Sequence, residues 1–297
     1  MSVEKKLNKA YQNAEEILIN KDTRIVLISD CHRGVGNWGD NLFNNQNLYF
    51  AALNYYYENN YIYIELGDGD ELWENRTEED IIATHSYAFW MMSNFYMSRR
   101  FYMLYGNHDI VKRNPAYVKE HFTTYFNETY KKTIPLLPDI RVREALVLRI
   151  KNTDHKILLV HGHQADFFNN TLWRLARFLV RYLWRPFELI GVRDPTSASK
   201  NYKKKEKVEK YLIEWTKKNH QMLIAGHTHR PAFPAVGEPL YFNDGSCVHP
   251  RCITSIEIDN ESITLVKWSV QTRPDRTLYV ERIPLEGPVP LMDFFSA

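Results

Sequence analysis

Five short stretches of this sequence place carboxylate, imidazole or amide side chains directly after an apolar run. They are Ser29-Asp30-Cys31-His32, Gly67-Asp68, Gly106-Asn107-His108-Asp109, His161-Gly162-His163 and Gly226-His227-Thr228-His229. This mixture of nitrogen and oxygen donors, with no thiolate requirement, suits manganese, iron or zinc better than calcium or an iron–sulfur cluster. The candidate ligands are Asp30, His32, Asp68, Asn107, His161, His227 and His229, with Asp68 as the carboxylate that bridges two ions. Two divalent ions about 3.5–4 Å apart clamp a phosphoryl group and generate hydroxide for its hydrolysis. Each motif alone has an ordinary explanation: a lone histidine commonly sits in a polar or core environment, and Gly-Asn is a turn-forming pair. Five of them at five strand ends are not explained by packing.

Ligands so far apart in sequence act together only if the fold converges them. Arg24 to Ser29, Tyr61 to Leu66, Phe101 to Tyr105, Lys156 to Val160 and Gln221 to Ala225 read as short buried strands. Between them Asn41 to Asn59 and Glu78 to Ser98 have helical spacing, the second opened by Thr77 with Asp80 in a capping-box-like pattern. Alternating strands and helices predict an α/β sheet, and ligands bind outside the carboxyl ends of such strands. From residue 240 the runs Leu240 to Asn243, Cys252 to Ile258, Ile263 to Ser269 and Thr277 to Arg282 are β-type, which predicts a second sheet packed on the first. Met1 to Asn20 spaces Leu7, Tyr11, Ala14 and Leu18 as an amphipathic helix without a continuous apolar stretch, so no signal peptide is expected.

The 297 residues, 44% hydrophobic and 25% charged, are ample for a large core and exclude disordered and fibrous classes. One domain spanning 1–297 is expected, with a helical cap inserted at 166–220. With 38 basic and 36 acidic residues the formal charge is +2, so no global footprint for nucleic acid exists and none is expected as a partner. No stretch approaches the roughly 20 apolar residues of a membrane span. Cys31, Cys247 and Cys252 have no paired spacing, which predicts a reducing, cytoplasmic setting, with Cys31 packed in the core between two ligands.

The insertion breaks at Pro186, Gly191 and Asp194-Pro195. Before the break, Arg174, Arg177, Arg181 and Arg185 share one helical face, and aromatic and aliphatic residues fill the rest. Three readings follow: a basic solvent stripe on a packed helix, a stripe facing a phosphorylated substrate, or an amphipathic surface that touches anionic lipid. Arg174, Arg177 and Arg181 are the candidate substrate contacts. After the break, Val208, Leu212 and Trp215 form one face that is expected to pack on the first helix. Arg33 is a candidate phosphate contact through its planar fork, or else a structural ion pair. His163 is placed beside the metals or facing substrate, and Asp70 and Glu71 either support the ligand histidines or form a solvated acidic turn.

In order and spacing these motifs resemble the calcineurin-like metallophosphoesterase superfamily, over residues 29 to 229. The resemblance implies a four-layer αββα sandwich of two mixed sheets, the metallo-dependent phosphatase fold. It also implies a dinuclear centre with Asp30, His32, Asp68 and His229 on one ion and Asp68, Asn107, His161 and His227 on the other. His108 would protonate the leaving group, oriented by Asp109. The Gly67 to Trp73 run, the Gly226 to Pro231 run and the helical insertion are similar to bacterial UDP-2,3-diacylglucosamine hydrolases. That branch has Arg where His108 stands and a bulky apolar pair where Gly69-Asp70 stands, so its substrate does not carry over. Asp30 to Gly34 and Asn243 to Ser246 resemble uncharacterised bacterial phosphoesterases of the superfamily. The expected activity is hydrolysis of a phosphate ester or pyrophosphate bond by metal-bound hydroxide, on a phosphorylated small-molecule or lipid-like substrate. Two divalent ions would serve, manganese first and iron or zinc after it. The alternatives are a non-catalytic protein-binding scaffold of the same fold, a UDP-sugar-lipid pyrophosphatase and a nuclease.

Overall fold

The computed structural model describes residues 2–127, 131–166, 173–184 and 202–296. The chain runs through α1 (Val3–Asn13), β1 (Glu15–Ile19), β2 (Ile25–Ile28), α2 (Gln46–Glu58), β3 (Ile62–Glu65), α3 (Glu78–Thr84), α4 (Ser86–Met97), β4 (Phe101–Leu104), α5 (Pro115–Phe122), β5 (Thr124–Asn127) and β6 (Lys132–Pro135). It continues through β7 (Val142–Arg143), β8 (Ala145–Ile150), β9 (Lys156–Val160), α6 (Trp173–Phe178), α7 (Tyr202–Asn219), β10 (Met222–Ala225), β11 (Tyr241–Asn243), β12 (Cys252–Asp259), β13 (Ser262–Thr272), β14 (Leu278–Pro290) and α8 (Leu291–Phe295).

All four residues of β2 are fully buried, because the strand is covered on both sides. Ile25 and Leu27 point between two sheets, against Ile64, Leu148, Leu159 and Ile224. Val26 and Ile28 point the other way, onto the layer that contains Tyr49 and Leu53 of α2 and Phe89 and Phe95 of α4. On the opposite sheet β9 repeats the alternation: Ile157 and Leu159 join the intersheet core, while Leu158 and Val160 meet Leu7 of α1 and Leu212 and Trp215 of α7. Helix, sheet, sheet, helix is therefore the order of layers. Each fully buried Ile, Leu or Val contributes about 1.5–3 kcal/mol as an upper bound.

The sheets run β14-β13-β12-β2-β3-β4-β7 and β1-β8-β9-β10-β11, with β5 and β6 as a separate hairpin. This corrects one expectation. The five motif-bearing strands do not share a sheet: β2, β3 and β4 are parallel neighbours in the larger, β9 and β10 in the smaller. Nor do the late strands make a sheet of their own. β11 extends the smaller sheet beside β10, and β12 pairs antiparallel with β2 in the larger.

The amino-terminal helix ends at Asn13, and Glu15–Ile19 is a strand parallel to β8. Alternation then buries Ile19 and leaves Leu18 half exposed, so pairing overrides the helical spacing there. The long helix expected from Glu78 to Ser98 breaks at His85, whose buried ring bonds Asp40 at 2.8 Å. Thr77 bonds the Asp80 side chain, without capping the helix backbone. Within the expected insertion, α6 continues into a wider helical turn at Leu179–Trp184, and the break around Pro186 and Asp194 lies outside the described residues. Val208, Leu212 and Trp215 of α7 pack on α1 and β8–β10, where contact with the first insertion helix was expected.

Candidate metal centre

Hydrogen bonds carry the sheet pattern past the strand ends and tie the motifs together. Asp30 N–H donates to Gly67 O (3.1 Å) and His32 N–H to Asp68 O (3.0 Å), joining the first two motifs, and Gly226 N–H to His161 O (3.0 Å) joins the last two. The two sheets are stitched by His227 N–H to Asp30 Oδ2 (2.7 Å) and by His161 Nδ1 to Leu66 O (2.9 Å). His108 N–H donates to Asp68 Oδ1 (2.8 Å) and brings in the third motif. Asp30, His32, Asp68, His227 and His229 all have φ between 48° and 68°, in the left-handed region. Such conformations cost of order 1 kcal/mol or more each and persist where the surroundings over-determine them, most often at functional sites. Gly67, at φ 94°, allows a close approach of backbone to backbone: a Cβ there would sit 2.6 Å from Gly106 N.

Among the described residues, two separate clusters of side chains converge at the strand ends, and a third group, His32, Glu71 and His108, shares His32 with the first. Asp30, His32 and His229 form one, with His229 Nε2 3.0 Å and His32 Nε2 3.7 Å from Asp30 Oδ1. Asp68, His161 and His227 form the other, with His161 Nε2 3.1 Å from Asp68 Oδ2. Asp68 Oδ2 also lies 3.9 Å from His32 Nε2, so its carboxylate stands between the clusters. Asn107 is buried near them, bonded through neither its Oδ1 nor its Nδ2.

Whether these residues fit metal ions is decided by their hydrogen bonding. Asp30 Oδ1, His32 Nε2, Asn107 Oδ1, His161 Nε2 and His227 Nε2 are buried and make no hydrogen bond. His161 Nδ1 faces a carbonyl and His32 Nδ1 faces the Glu71 carboxylate (2.8 Å); both partners only accept, so each Nδ1 carries its hydrogen, and in the neutral ring that binds a cation each Nε2 presents a lone pair. Lone pairs gathered in a dry site repel one another unless a cation sits among them. Nitrogen and oxygen donors in this mixture fit divalent transition ions. The same field acts on protons: burial opposes a charge on His161, but Asp68 and Asp30 push its pKa up to about 9, whereas burial takes His229 down to about 4.

Glu71 holds two imidazoles, with its carboxylate 2.8 Å from both His32 Nδ1 and His108 Nδ1. Burial raises its pKa, yet the two rings hold it at about 2. Of the two readings left open for Glu71, the structure selects support of the histidines. It also corrects the expectation for Asp109, which accepts from Gly106 N–H (2.7 Å) and Gly69 N–H (3.2 Å) and pairs with Lys112, leaving the orientation of His108 to Glu71. Glu71→Gln removes one acceptor and forces one ring to turn, so metal affinity should fall about ten- to hundredfold. Competition with a chelator measures it, and an unchanged affinity would contradict this role.

Arg33 does not reach a substrate. It is fully buried, with Nε on Asp70 (2.6 Å), both terminal nitrogens on Glu65 (2.7 and 3.0 Å) and one of them also on Tyr49 (3.2 Å), so its role as a phosphate contact is corrected to a structural ion pair. Arg174 and Arg177 lie over Trp173 of their own helix, at 5.5 and 5.0 Å. Arg181 donates to the carbonyls of Trp73 (2.9 Å), Leu72 (2.5 Å) and Asn75 (2.7 Å), so its expected contact with substrate is replaced by a contact with the protein backbone. His163 is buried, 5.5 Å from the His161 ring, with burial and then His161 and His227 holding its pKa well below the usual range.

Several residues at the site had no role assigned from the sequence, although Ser29, Trp73 and Asp244 fall inside its motif runs. Trp73 stacks on His108 at 4.3 Å and 21°. Asp166 Oδ2 lies 3.5 Å from His227 Nε2, and Ser29 Oγ contacts both Asp30 (2.5 Å) and Asp244 (2.7 Å). A single aromatic, serine or aspartate has no assignable role until its neighbours are known.

Residues 23–231 match the family model described as calcineurin-like phosphoesterase. A comparison with curated proteins finds no match. Solved structures similar to this chain include vacuolar protein sorting 29 from Cryptosporidium parvum, at 14% identity and TM-score 0.41, covering 89% of this chain and 98% of that one. GAP50 of Plasmodium, the anchor in the inner membrane complex, is similar at 9% identity and TM-score 0.45, covering 89% of each chain. A putative 5'-nucleotidase from Staphylococcus aureus is similar at 13% identity and TM-score 0.36, covering 89% of this chain and 54% of that one.

Proposed function

Because the chain belongs to the calcineurin-like phosphoesterase family, we propose that it is a dinuclear-metal phosphoesterase that hydrolyses a phosphate ester or pyrophosphate bond. The observation that carries this reading is the set of five buried donor atoms, on Asp30, His32, Asn107, His161 and His227, that make no hydrogen bond. Asp30, His32, Asp68 and His229 would hold one ion, and Asp68, Asn107, His161 and His227 the other, with manganese the first expectation and iron or zinc the alternatives. When bound, such ions stabilise charge on phosphoryl oxygens and lower the pKa of water towards about 7.

The remaining chemistry belongs to the chain. His108 is 23% exposed at its side chain, against 6% for His32 and none for His161, so it is the ring at the site that a substrate reaches most readily. Glu71 accepts at its Nδ1, which leaves Nε2 to pass a proton to the departing oxygen. Asp68 accepts the His108 backbone N–H, so a bridging ligand and the acid are fixed to each other. The substrate is a phosphorylated small or lipid-like molecule that enters beside α6, and the 166–220 segment serves as the cap. The proposed setting is reducing and cytoplasmic, in which Cys31 and Cys247, whose Sγ atoms share a 3.5 Å hydrogen bond, stay as thiols.

Elemental analysis and titration with Mn²⁺ and Zn²⁺, followed by assay on phosphomonoesters, nucleotides, UDP-sugars and lipid phosphates, tests the proposal. Up to two ions per chain and turnover of at least one class are expected. No bound metal and no binding on titration would overturn it, and two bound ions without turnover of any class would favour a non-catalytic scaffold.

A further inference from the structure

Residues 71–75 form a tight buried turn at the edge of the metal centre. Asn75 donates to Glu71 O through its backbone N–H (3.2 Å) and side chain (2.9 Å), and Trp73 N–H donates to Glu71 Oε1 (3.2 Å). The turn carries two contacts to the third motif. Trp73 lays its ring on the His108 imidazole and donates from Nε1 to Asn107 O (2.6 Å). His108 is thus held at Nδ1 by Glu71 and on one ring face by Trp73.

Three carbonyls of this turn, on Leu72, Trp73 and Asn75, converge on one guanidinium, that of Arg181. Hydrogen bonds from an ionised donor are roughly twice as strong as neutral ones, and the planar fork spans acceptors that an ammonium cannot. Arg181 lies in the wider helical turn after α6, a winding found disproportionately at functional sites. We propose that Arg181 is a positioning residue: by clamping the Leu72 to Asn75 turn it holds Trp73 against His108 and fixes the place from which His108 delivers its proton. This rests on the phosphoesterase reading above. The wider helical turn after α6 thereby sets the geometry of the acid. A displacement of about 1 Å in a catalytic group costs on the order of a hundredfold in rate.

The test compares wild type, Arg181→Ala, Arg181→Lys and Trp73→Phe at equal metal content, on phosphate esters graded from good aryl to poor alkyl leaving groups. For Arg181→Ala, kcat should fall about ten- to hundredfold on the alkyl esters and much less on the best aryl esters, with KM within about twofold. Arg181→Lys, which keeps the charge and loses the fork, should fall in the same direction by less, and it stands in for the alanine variant should that fail to fold. Trp73→Phe, which keeps a stacked ring and loses the indole donor, should show a smaller loss with the same dependence on leaving group. Hydrogen exchange at the Trp73 indole N–H, followed by NMR in the zinc-loaded protein, should quicken about tenfold in Arg181→Ala. A rise in KM with kcat preserved would overturn the proposal in favour of a substrate contact. Equal losses on every ester, or unchanged indole exchange, would also overturn it. Wild-type inactivity on the whole series and on the nucleotides and UDP-sugars would instead sink the phosphoesterase reading, and the exchange measurement separates the two failures.

Discussion

Arg33→Ala is expected to destabilise the fold by about 3–5 kcal/mol, because it leaves Glu65 and Asp70 buried without their shared cation. That is a large fraction of the roughly 5–15 kcal/mol by which a domain of ordinary stability is folded. Arg33 sits in a fully enclosed network: Lys112 bonds Asp70 and also Asp109, and Tyr63 donates to Glu65 (3.0 Å). Burial opposes charge on Arg33, Asp70 and Lys112. Even so, Arg33 and Lys112 hold the Asp70 carboxyl well below its usual range, while burial and the charge of Asp70 push Glu78 up. Removing Arg33 therefore leaves one cation where there were two. The loss should appear in urea unfolding of metal-loaded and chelator-treated protein alike. Adding Glu65→Leu to Arg33→Leu should recover part of it, since an apolar pair replaces an ion pair at little cost. A stability change under about 0.5 kcal/mol, combined with a raised KM, would return Arg33 to the substrate.

His108→Ala should slow turnover about 10²- to 10⁴-fold while the metal content stays that of wild type. The loss should be greatest for alkyl phosphates, whose departing oxygen needs a proton, and smallest for aryl esters that leave as stable anions. Glu71 and Trp73 touch His108 on different sides, and the ring's removal leaves His32 still bonded to Glu71. Asp109→Asn should behave differently, because Asp109 fixes the Gly69 and Gly106 backbone instead of the His108 ring. Its effect should be on stability, with no dependence on the leaving group. The decisive measurement is the slope of log kcat against leaving-group pKa in both variants. Full activity of His108→Ala towards alkyl phosphates would remove this residue from the mechanism.

The motifs stand out in the sequence as candidate metal ligands because two local regularities coincide there. A short run buried on both faces marks a strand, and a carboxylate, imidazole or amide directly after it, in four of the five motifs beside a glycine, has no packing reason to be there. Local regularities are also what misled at the amino end. Leu7, Tyr11, Ala14 and Leu18 share a helical period, but the register of Glu15–Ile19 with Leu146–Ile150 takes Leu18 to the exposed side of a strand. Arg33 and Arg181 show the same limit from the other direction. Arginine beside a metal motif suits phosphate as well as it suits carboxylate, and nothing within a few residues of either arginine says which it meets.

By itself, then, the sequence determined the motif-bearing strands, the donor atoms and their order along the chain, since side-chain period and residue chemistry are local properties, while β1, β5, β6, β7 and β8 carried no local pattern that marked them as strands. Tertiary structure alone decided the partners. Glu65 and Asp70 lie 32 and 37 residues from Arg33, and the carbonyls that Arg181 clamps lie 106 to 109 residues away. Strand order brings β2, β3 and β4 together in one sheet and β9 and β10 in the other, and it sets His227 N–H on Asp30 across 197 residues. Pairings at such separations are chosen by the packing of the two sheets as a whole, a sum over contacts that no local pattern encodes.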